Sequence, residues 1–372
     1  MQRPQSSLVR RALARAFARA LALSFALSGP LLAVAFVGCS GGESRASFAD
    51  GDAAPIEPGG EAGADGGEGG SPPPQPSKPG CAQADYTETL PTTASLQDIP
   101  YSSAQAQAYV TTALQRRYPI GKFVLEGGLT SPLAAQQGNC VDRFLSDKSS
   151  AQAVLRQAPT LVHECGHFFD LGEAKGGDAA YVLRDDLRFS CKGGDTTTRG
   201  GKTFARSRIK GDTFYAKRKA CGGTAGQGCD FYADIYLDGN PDDATFDSGD
   251  QGYNSVLEEA TQYVNSLATA LAFQDSYQGT KVSERDGILT FLWYIERYLH
   301  MARTSYASAY AALTSDSCWR QATLSVWDRG WFFLTATKSL PALEIDAPAL
   351  EALVKDPSLT AEIDALRNLE CK

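Results

Sequence analysis

Positive charge is scarce in this sequence. Its 372 residues carry 35 lysines and arginines against 43 aspartates and glutamates, a formal net charge of -8. Five of the arginines fall within the first 38 residues, which contain no acid, so the rest of the chain has 30 basic residues against 43 acids, a balance of -13. Because nucleic-acid-binding proteins present basic surfaces, the charge excludes nucleic acid as an expected partner.

The sequence also lacks an apolar run that is typical of a transmembrane helix. The apolar stretch over residues 21–37 is interrupted by small residues and by Pro30. An arginine-rich N-terminus followed by a short apolar stretch is typical of an export signal. We therefore predict that residues 1–38 are a signal peptide.

The predicted signal peptide ends in Phe36-Val37-Gly38-Cys39. This segment resembles the lipobox of bacterial lipoproteins, although Phe36 replaces the usual leucine. The resemblance implies cleavage before Cys39, lipidation of its thiol, and a membrane partner through that lipid. Ser40 is not the aspartate that retains many lipoproteins at the inner membrane, so we expect the outer membrane or the cell surface.

Bulky apolar residues are almost absent between Ser40 and Gly80, where glycine, proline, alanine and acids dominate. Such a segment cannot bury enough apolar surface to fold. Residues 39–80 are therefore predicted to be a lipidated cysteine and a disordered tether, with an average span of about 35 Å for a flexible chain of this length.

Residues 81–372 have an ordinary globular composition, and apolar spacing predicts a helix-rich α+β domain there. Helices are predicted over residues 104–114, 151–171, 256–273, 288–311 and 348–369, the last divided near Pro357. Pro159 is expected in the first turn of its helix, where proline is tolerated. Strands or hairpins are predicted over residues 181–191 and 203–216.

Only three histidines occur in the chain, and two of them form His163-Glu164-Cys165-Gly166-His167. This is an HExxH motif. On a helix, residues four apart lie on one face, so His163 and His167 can present their imidazoles to one metal ion. The motif and its uncharged neighbours resemble those of zincin metallopeptidases. The resemblance implies a zincin-like domain that binds Zn²⁺ and hydrolyses a peptide or protein substrate, with Glu164 as the general base.

The third ligand separates the classes of zincin. Asp170 and Glu173 replace the glycine and histidine that the metzincin extension requires, so that class is excluded. A gluzincin takes a glutamate from a later helix, and residues 254–263 resemble that helix. Glu259 lies about 110° from the centre of its apolar stripe and Glu258 about 150°. We predict Glu259 as the ligand, with Glu258 and a solvated, non-ligating Glu259 as the alternatives.

Three other groups are candidates for a role. Asp170 falls on the metal-binding face and could hydrogen-bond a ligand imidazole. His300 lies about 140° from the apolar centre of its helix, so we expect it to be solvated. Six aspartates between Asp234 and Asp250 could bind Ca²⁺, although a plain acidic loop is the preferred interpretation.

Eight cysteines remain besides Cys39, an even number that suggests disulfides in an exported chain. We expect Cys165 to stay reduced because it lies inside the HExxH helix. Two other functions stay open. One is a non-catalytic binding or adhesion lipoprotein whose structural metal site is closed by Asp170 or His300. The other is a zinc hydrolase that acts on a different amide.

Overall fold

The computed structural model describes residue 81 and residues 86–193, 204–221, 229–230, 232–237 and 251–371. The predicted signal peptide, Cys39 and the tether lie outside these residues. The aspartates of the acidic loop that follow Asp234 also lie outside them, as does the side chain of Asp234, so the calcium hypothesis stays a prediction.

The described part of the chain is mainly helical, with one two-stranded sheet. Its helices are α1 Ala106–Arg117, α2 Pro119–Thr130, α3 Pro132–Gln137, α4 Cys140–Phe144, α5 Ala151–Glu173, α6 Ala233–Tyr236, α7 Tyr253–Ala272, α8 Glu284–Ser305, α9 Ala307–Ser315, α10 Ser317–Ala336, α11 Ala347–Val354 and α12 Pro357–Glu370. Strands β1 Ala179–Arg184 and β2 Leu187–Cys191 pair antiparallel, with Tyr181 opposite Phe189. The helix-rich architecture and the predicted hairpin are therefore present. Among the described residues, no helix is both long and apolar enough to cross a membrane.

Helix α5, which carries the HExxH motif, begins where a serine caps it. The Ser150 hydroxyl accepts a hydrogen bond from the amide of Ala153 at 3.1 Å, which satisfies one of the free donors of the first turn. The predicted position of Pro159 is wrong, because the helix starts eight residues before it and the proline lies inside. Pro159 is buried there, so tertiary packing offsets the loss of one helical hydrogen bond.

Residues 204–216, the described part of the segment predicted over 203–216, contain no strand. The described part of this segment forms 3-10 helices, Arg206–Gly211 and Tyr215–Cys221. Buried Arg297 fixes the first by donating to the carbonyl of Ile209 and to Asp212. The predicted helix over residues 288–311 is likewise divided, since the backbone at Tyr306 leaves the helical region and its ring stacks on Phe204 at 4.3 Å.

Helix α5 lies between α2 and α7 and packs closely against both. A Cβ at Gly128 of α2 would lie 2.1 Å from the carbonyl oxygen of Cys165. A Cβ at Gly166 of α5 would lie 1.9 Å from the side-chain oxygen of Gln262 on α7. A larger residue at Gly128 would push α2 away from the backbone of α5, and one at Gly166 would displace the Gln262 side chain where α7 packs on α5.

Three disulfides join distant parts of the described chain: Cys81–Cys371, Cys140–Cys165 and Cys191–Cys318. Cys229 is also disulfide-bonded. The expectation that Cys165 stays reduced is therefore wrong. Its side chain points away from the histidine face and toward the start of α4, where the Cα of Cys140 lies 5.4 Å from its own. The disulfide thus ties the HExxH helix to α4.

Candidate metal centre

His163 and His167 lie one helical turn apart on α5, and both are buried. Their ring centroids are 4.7 Å apart. Glu259 reaches the same point from α7, with its Oε2 atom 3.5 Å from Nε2 of His163 and 3.7 Å from Nε2 of His167. The ligand atoms of the three residues lie within 4.8 Å of one another, so they could hold a metal ion. We call these three residues the metal group.

The donor atoms of this group fit a metal ion in spacing and in chemistry. Two ligands of a tetrahedral zinc ion, with bonds of about 2.0–2.1 Å, lie about 3.3 Å apart, close to the two distances from Glu259. Oε2 of Glu259 is buried and has no hydrogen-bond partner among the described residues. An unpaired buried carboxylate oxygen is costly, and a cation bound to this atom would offset that cost.

Each histidine has a partner on the ring nitrogen that faces away from Glu259. The carboxylate of Glu258 contacts Nδ1 of His167, and the hydroxyl of Ser266 lies 3.3 Å from Nδ1 of His163. Such partners fix the orientation of a ligand imidazole and leave Nε2 directed at the metal. Glu258 and Glu259 are therefore both at the site in different positions, and only Glu259 belongs to the three-residue group.

The alternative of a solvated Glu259 is contradicted by its burial. Glu259 is 3% exposed and Glu258 is 8% exposed. Helix α7 is buried on almost its whole circumference, with α5, α8 and α10 packed around it. On such a helix, distance from the apolar centre does not measure exposure.

Asp170 is at the back of the site, where it accepts two hydrogen bonds. One comes from the amide of Val182 on β1 and the other from the side-chain amide of Gln262 on α7, both at 2.8 Å. The role expected of Asp170, a partner for a ligand imidazole, falls to Glu258 instead. Asp170 joins three elements, α5, β1 and α7, behind the metal group.

A series of buried hydrogen bonds runs from Gln262 to Glu88, near the start of the described residues. The side-chain oxygen of Gln262 accepts from Asn265 at 2.8 Å, and Asn265 accepts from Arg329 on α10 at 2.7 Å. Arg329 also pairs at 2.7 Å with the fully buried Glu88. This series fixes α7 against the rest of the core, and with it the position of Glu259.

Burial controls the protonation of the site. Burial, and then the neighbouring His167, lowers the pKa of His163 to about 4, which keeps its imidazole neutral and able to bind a metal at neutral pH. Burial raises the pKa of Glu164, while the two histidines oppose that shift. Glu164 is half-buried, so it borders the site with access to solvent. A carboxyl with a raised pKa is suited to exchange protons near neutral pH.

Two groups near Glu259 were not found from the sequence. Burial raises the pKa of Glu259 to about 7, and the charges of His167 and of buried Arg206 and a hydrogen bond from the hydroxyl of Tyr236 oppose that shift. The Arg206 guanidinium lies over the Tyr236 ring, 5.4 Å from its centroid. Neither residue lies in a spaced pattern, so only the fold brings them to the metal group.

His300 is outside the site. Its Nδ1 atom lies 2.9 Å from the carboxylate of Glu362 on α12, and Arg303 binds the same carboxylate at 2.7 Å. The ring is partly exposed, as expected from its angle on α8, and its Nδ1 atom is held by Glu362 rather than left to solvent.

Comparisons with protein-family models, with curated proteins and with solved structures found no match for the chain.

Proposed function

We propose that the protein is a zinc-dependent metallopeptidase in which His163, His167 and Glu259 hold the ion and Glu164 is the general base. The observation that carries this proposal is the convergence of two imidazole Nε2 atoms on one unpaired carboxylate oxygen. Two histidines and one glutamate are a known ligand set of catalytic zinc. The general base follows from the resemblance to HExxH enzymes and from the raised pKa of Glu164 beside the histidines.

The fourth coordination position supports catalysis over a purely structural site. Among the described residues, the metal-binding group contains three side chains and no fourth. The two candidates for closing the shell are engaged elsewhere, Asp170 by Val182 and Gln262, and His300 by Glu362. An open position is what distinguishes catalytic zinc sites from structural ones.

The residues of the site divide the work of hydrolysis. A zinc ion bound here would polarise the carbonyl of the substrate and increase the acidity of water. Glu164 takes a proton from the attacking water and passes it to the leaving amine. Glu258 and Ser266 hold the two imidazoles in place, and Tyr236 holds Glu259. Burial keeps His163 neutral, so no proton competes with the ion for it.

We also propose that this enzyme acts in the cell envelope. The lipobox-like segment at Cys39 supports lipid anchoring, and the acidic, glycine-rich tether supports a domain held clear of the membrane. The outer membrane or the cell surface is the expected location, and peptides or proteins there are the expected substrates. Growth of cells with an inhibitor of the lipoprotein signal peptidase tests the anchor. A lipoprotein cleaved before Cys39 would then accumulate in its uncleaved form.

Glu164→Gln separates catalysis from metal binding. The variant should keep its zinc and lose turnover of a peptide library, because glutamine preserves the shape of the side chain and cannot accept the proton. The matched control is Glu173→Gln, an exposed glutamate on the same helix, which should retain both.

Cleavage that survives Glu164→Gln would overturn the assignment of the general base. Muropeptides are assayed beside the peptide library. Their cleavage, without cleavage of the library, would favour the alternative amide substrate. A protein that binds zinc and cleaves neither would favour the non-catalytic binding lipoprotein.

A further inference from the structure

Four aromatic rings form a continuous surface beside the metal group. We call Tyr232, Tyr236, Tyr263 and Phe291 the aromatic wall. The Tyr263 ring stacks on Phe291 at 4.8 Å, and Tyr232 and Tyr236 meet it edge-on at 5.4 and 6.4 Å. Tyr263 also packs edge-on against the ring of His163, with centroids 4.8 Å apart. The wall therefore begins at a metal-binding residue.

The wall is not closed off from solvent. Phe291 at its base is fully buried, whereas Tyr232, Tyr236 and Tyr263 are each partly exposed. None of the four side chains is charged. An apolar group bound beside these three rings would remove more of their carbon surface from water. A substrate bound at the metal is positioned to do so.

The tyrosine hydroxyls contact other hydroxyls, either within the wall or at its edge. The hydroxyls of Tyr236 and Tyr263 are 3.3 Å apart, and the hydroxyl of Tyr232 is 3.4 Å from that of Ser283. With the hydroxyls paired, the surface that remains for a ligand is ring carbon.

A glycine makes room for the wall. A Cβ at Gly287, in the first turns of α8, would lie 2.4 Å from a ring carbon of Tyr263 and 3.4 Å from the hydroxyl oxygen of Tyr232. Glycine within a helix costs about 1 kcal/mol relative to alanine. The position therefore gives up helix stability for space that only these tyrosine rings occupy.

We propose that the aromatic wall is a specificity subsite that binds an aromatic side chain of the peptide residue next to the cleaved bond. This inference rests on the proposed function. The wall can meet a phenyl ring edge-to-face, an arrangement that stabilises aromatic pairs beyond their burial, whereas an acidic side chain would lose its hydration against the electron-rich ring faces. Aliphatic side chains gain only the burial.

The test uses hydroxamates, which bind a zinc ion directly, and measures their affinity for the purified zinc-loaded protein by calorimetry. Acetohydroxamate reports the metal alone. N-acetylphenylalanine, N-acetylleucine and N-acetylglycine hydroxamates add the side chain. We expect the phenylalanine compound to bind about 10- to 100-fold more tightly than the glycine compound, with leucine between them.

Two variants locate the preference in the wall. Tyr232→Leu removes a ring that packs on Tyr263, and Gly287→Ala pushes against Tyr263 without changing the chemistry of the wall. Each should reduce the ratio of phenylalanine to glycine affinity by about 3- to 10-fold, and Tyr232→Leu should also leave acetohydroxamate affinity unchanged. Tyr310→Leu, a partly exposed tyrosine on α9, is the matched control and should keep the wild-type ratio.

The outcomes separate this inference from the proposed function. Equal affinities for the phenylalanine and glycine compounds, or a ratio that neither variant lowers, would overturn the subsite while acetohydroxamate binding left the metal site standing. Failure of acetohydroxamate to bind the zinc-loaded wild type would overturn both. Because the two variants act on different elements, misfolding of one leaves the other to decide.

Discussion

Glu296 on α8 should make the protein less stable as the pH rises. Its side chain is completely buried, and neither carboxylate oxygen has a hydrogen-bond partner among the described residues. Burial, with smaller contributions from Asp356 and Glu362, raises its pKa from 4.5 to about 10. The folded protein therefore keeps this proton between about pH 4.5 and pH 10, whereas the unfolded chain releases it.

The sign and size of the effect follow from proton linkage. Where the folded state binds more protons than the unfolded state, the free energy of unfolding falls as the pH rises. Each pH unit above 4.5 costs about 1.4 kcal/mol, so at pH 7 the cost from Glu296 is about 3 kcal/mol. Below pH 4.5 the carboxyl is protonated in both states and the cost disappears.

Glu296→Gln removes the titration and keeps the shape of the side chain. The variant should unfold at a higher urea concentration than the wild type at pH 7, with a gain of about 3 kcal/mol, and should differ little from it at pH 4.5. Urea unfolding followed by tryptophan fluorescence at several pH values measures this difference. Glu126→Gln, at a partly exposed position on α2, is the control and should show no such trend. A difference that is the same at pH 4.5 and pH 8 would refute the reasoning.

Two further predictions concern the support of the metal group. Glu258→Gln should weaken zinc binding by about 10- to 100-fold, because it loses the carboxylate that orients His167, and competition with a chelator measures this. An unchanged affinity would contradict that role. Replacing both Cys140 and Cys165 with serine removes a crosslink that spans 25 residues. We expect the free energy of unfolding, measured with urea at pH 7, to fall by about 3 kcal/mol. Equal stability of the variant and the wild type would contradict it.

Local patterns in the sequence predicted the parts of the site that are encoded locally. The four-residue spacing of His163 and His167 requires only a helix, and α5 supplies it. The hairpin at residues 181–191 and the pair of C-terminal helices were also predicted from spacing and turn residues. The choice of Glu259 depended on a helical angle and agrees with the position of its carboxylate in the structure.

The remaining features depend on contacts between distant segments. Helix α10 was not predicted, because its apolar residues are spread around a helix buried on most sides. The role of Glu258 requires α7 to pack against α5 at Gly166, and no local pattern in the sequence predicts that contact. The Cys140–Cys165 disulfide could not be predicted either, because the pairing of eight cysteines is not encoded in their spacing.

The most direct test of the account is the zinc content and zinc affinity of the purified protein and of three alanine variants. We predict one tightly bound zinc ion per wild-type molecule. His163→Ala and Glu259→Ala should lose it, and His300→Ala, the matched control outside the site, should keep it. A wild type without zinc, or variants at His163 and Glu259 that bind it as tightly as the control, would contradict the assignment of this group as the metal centre.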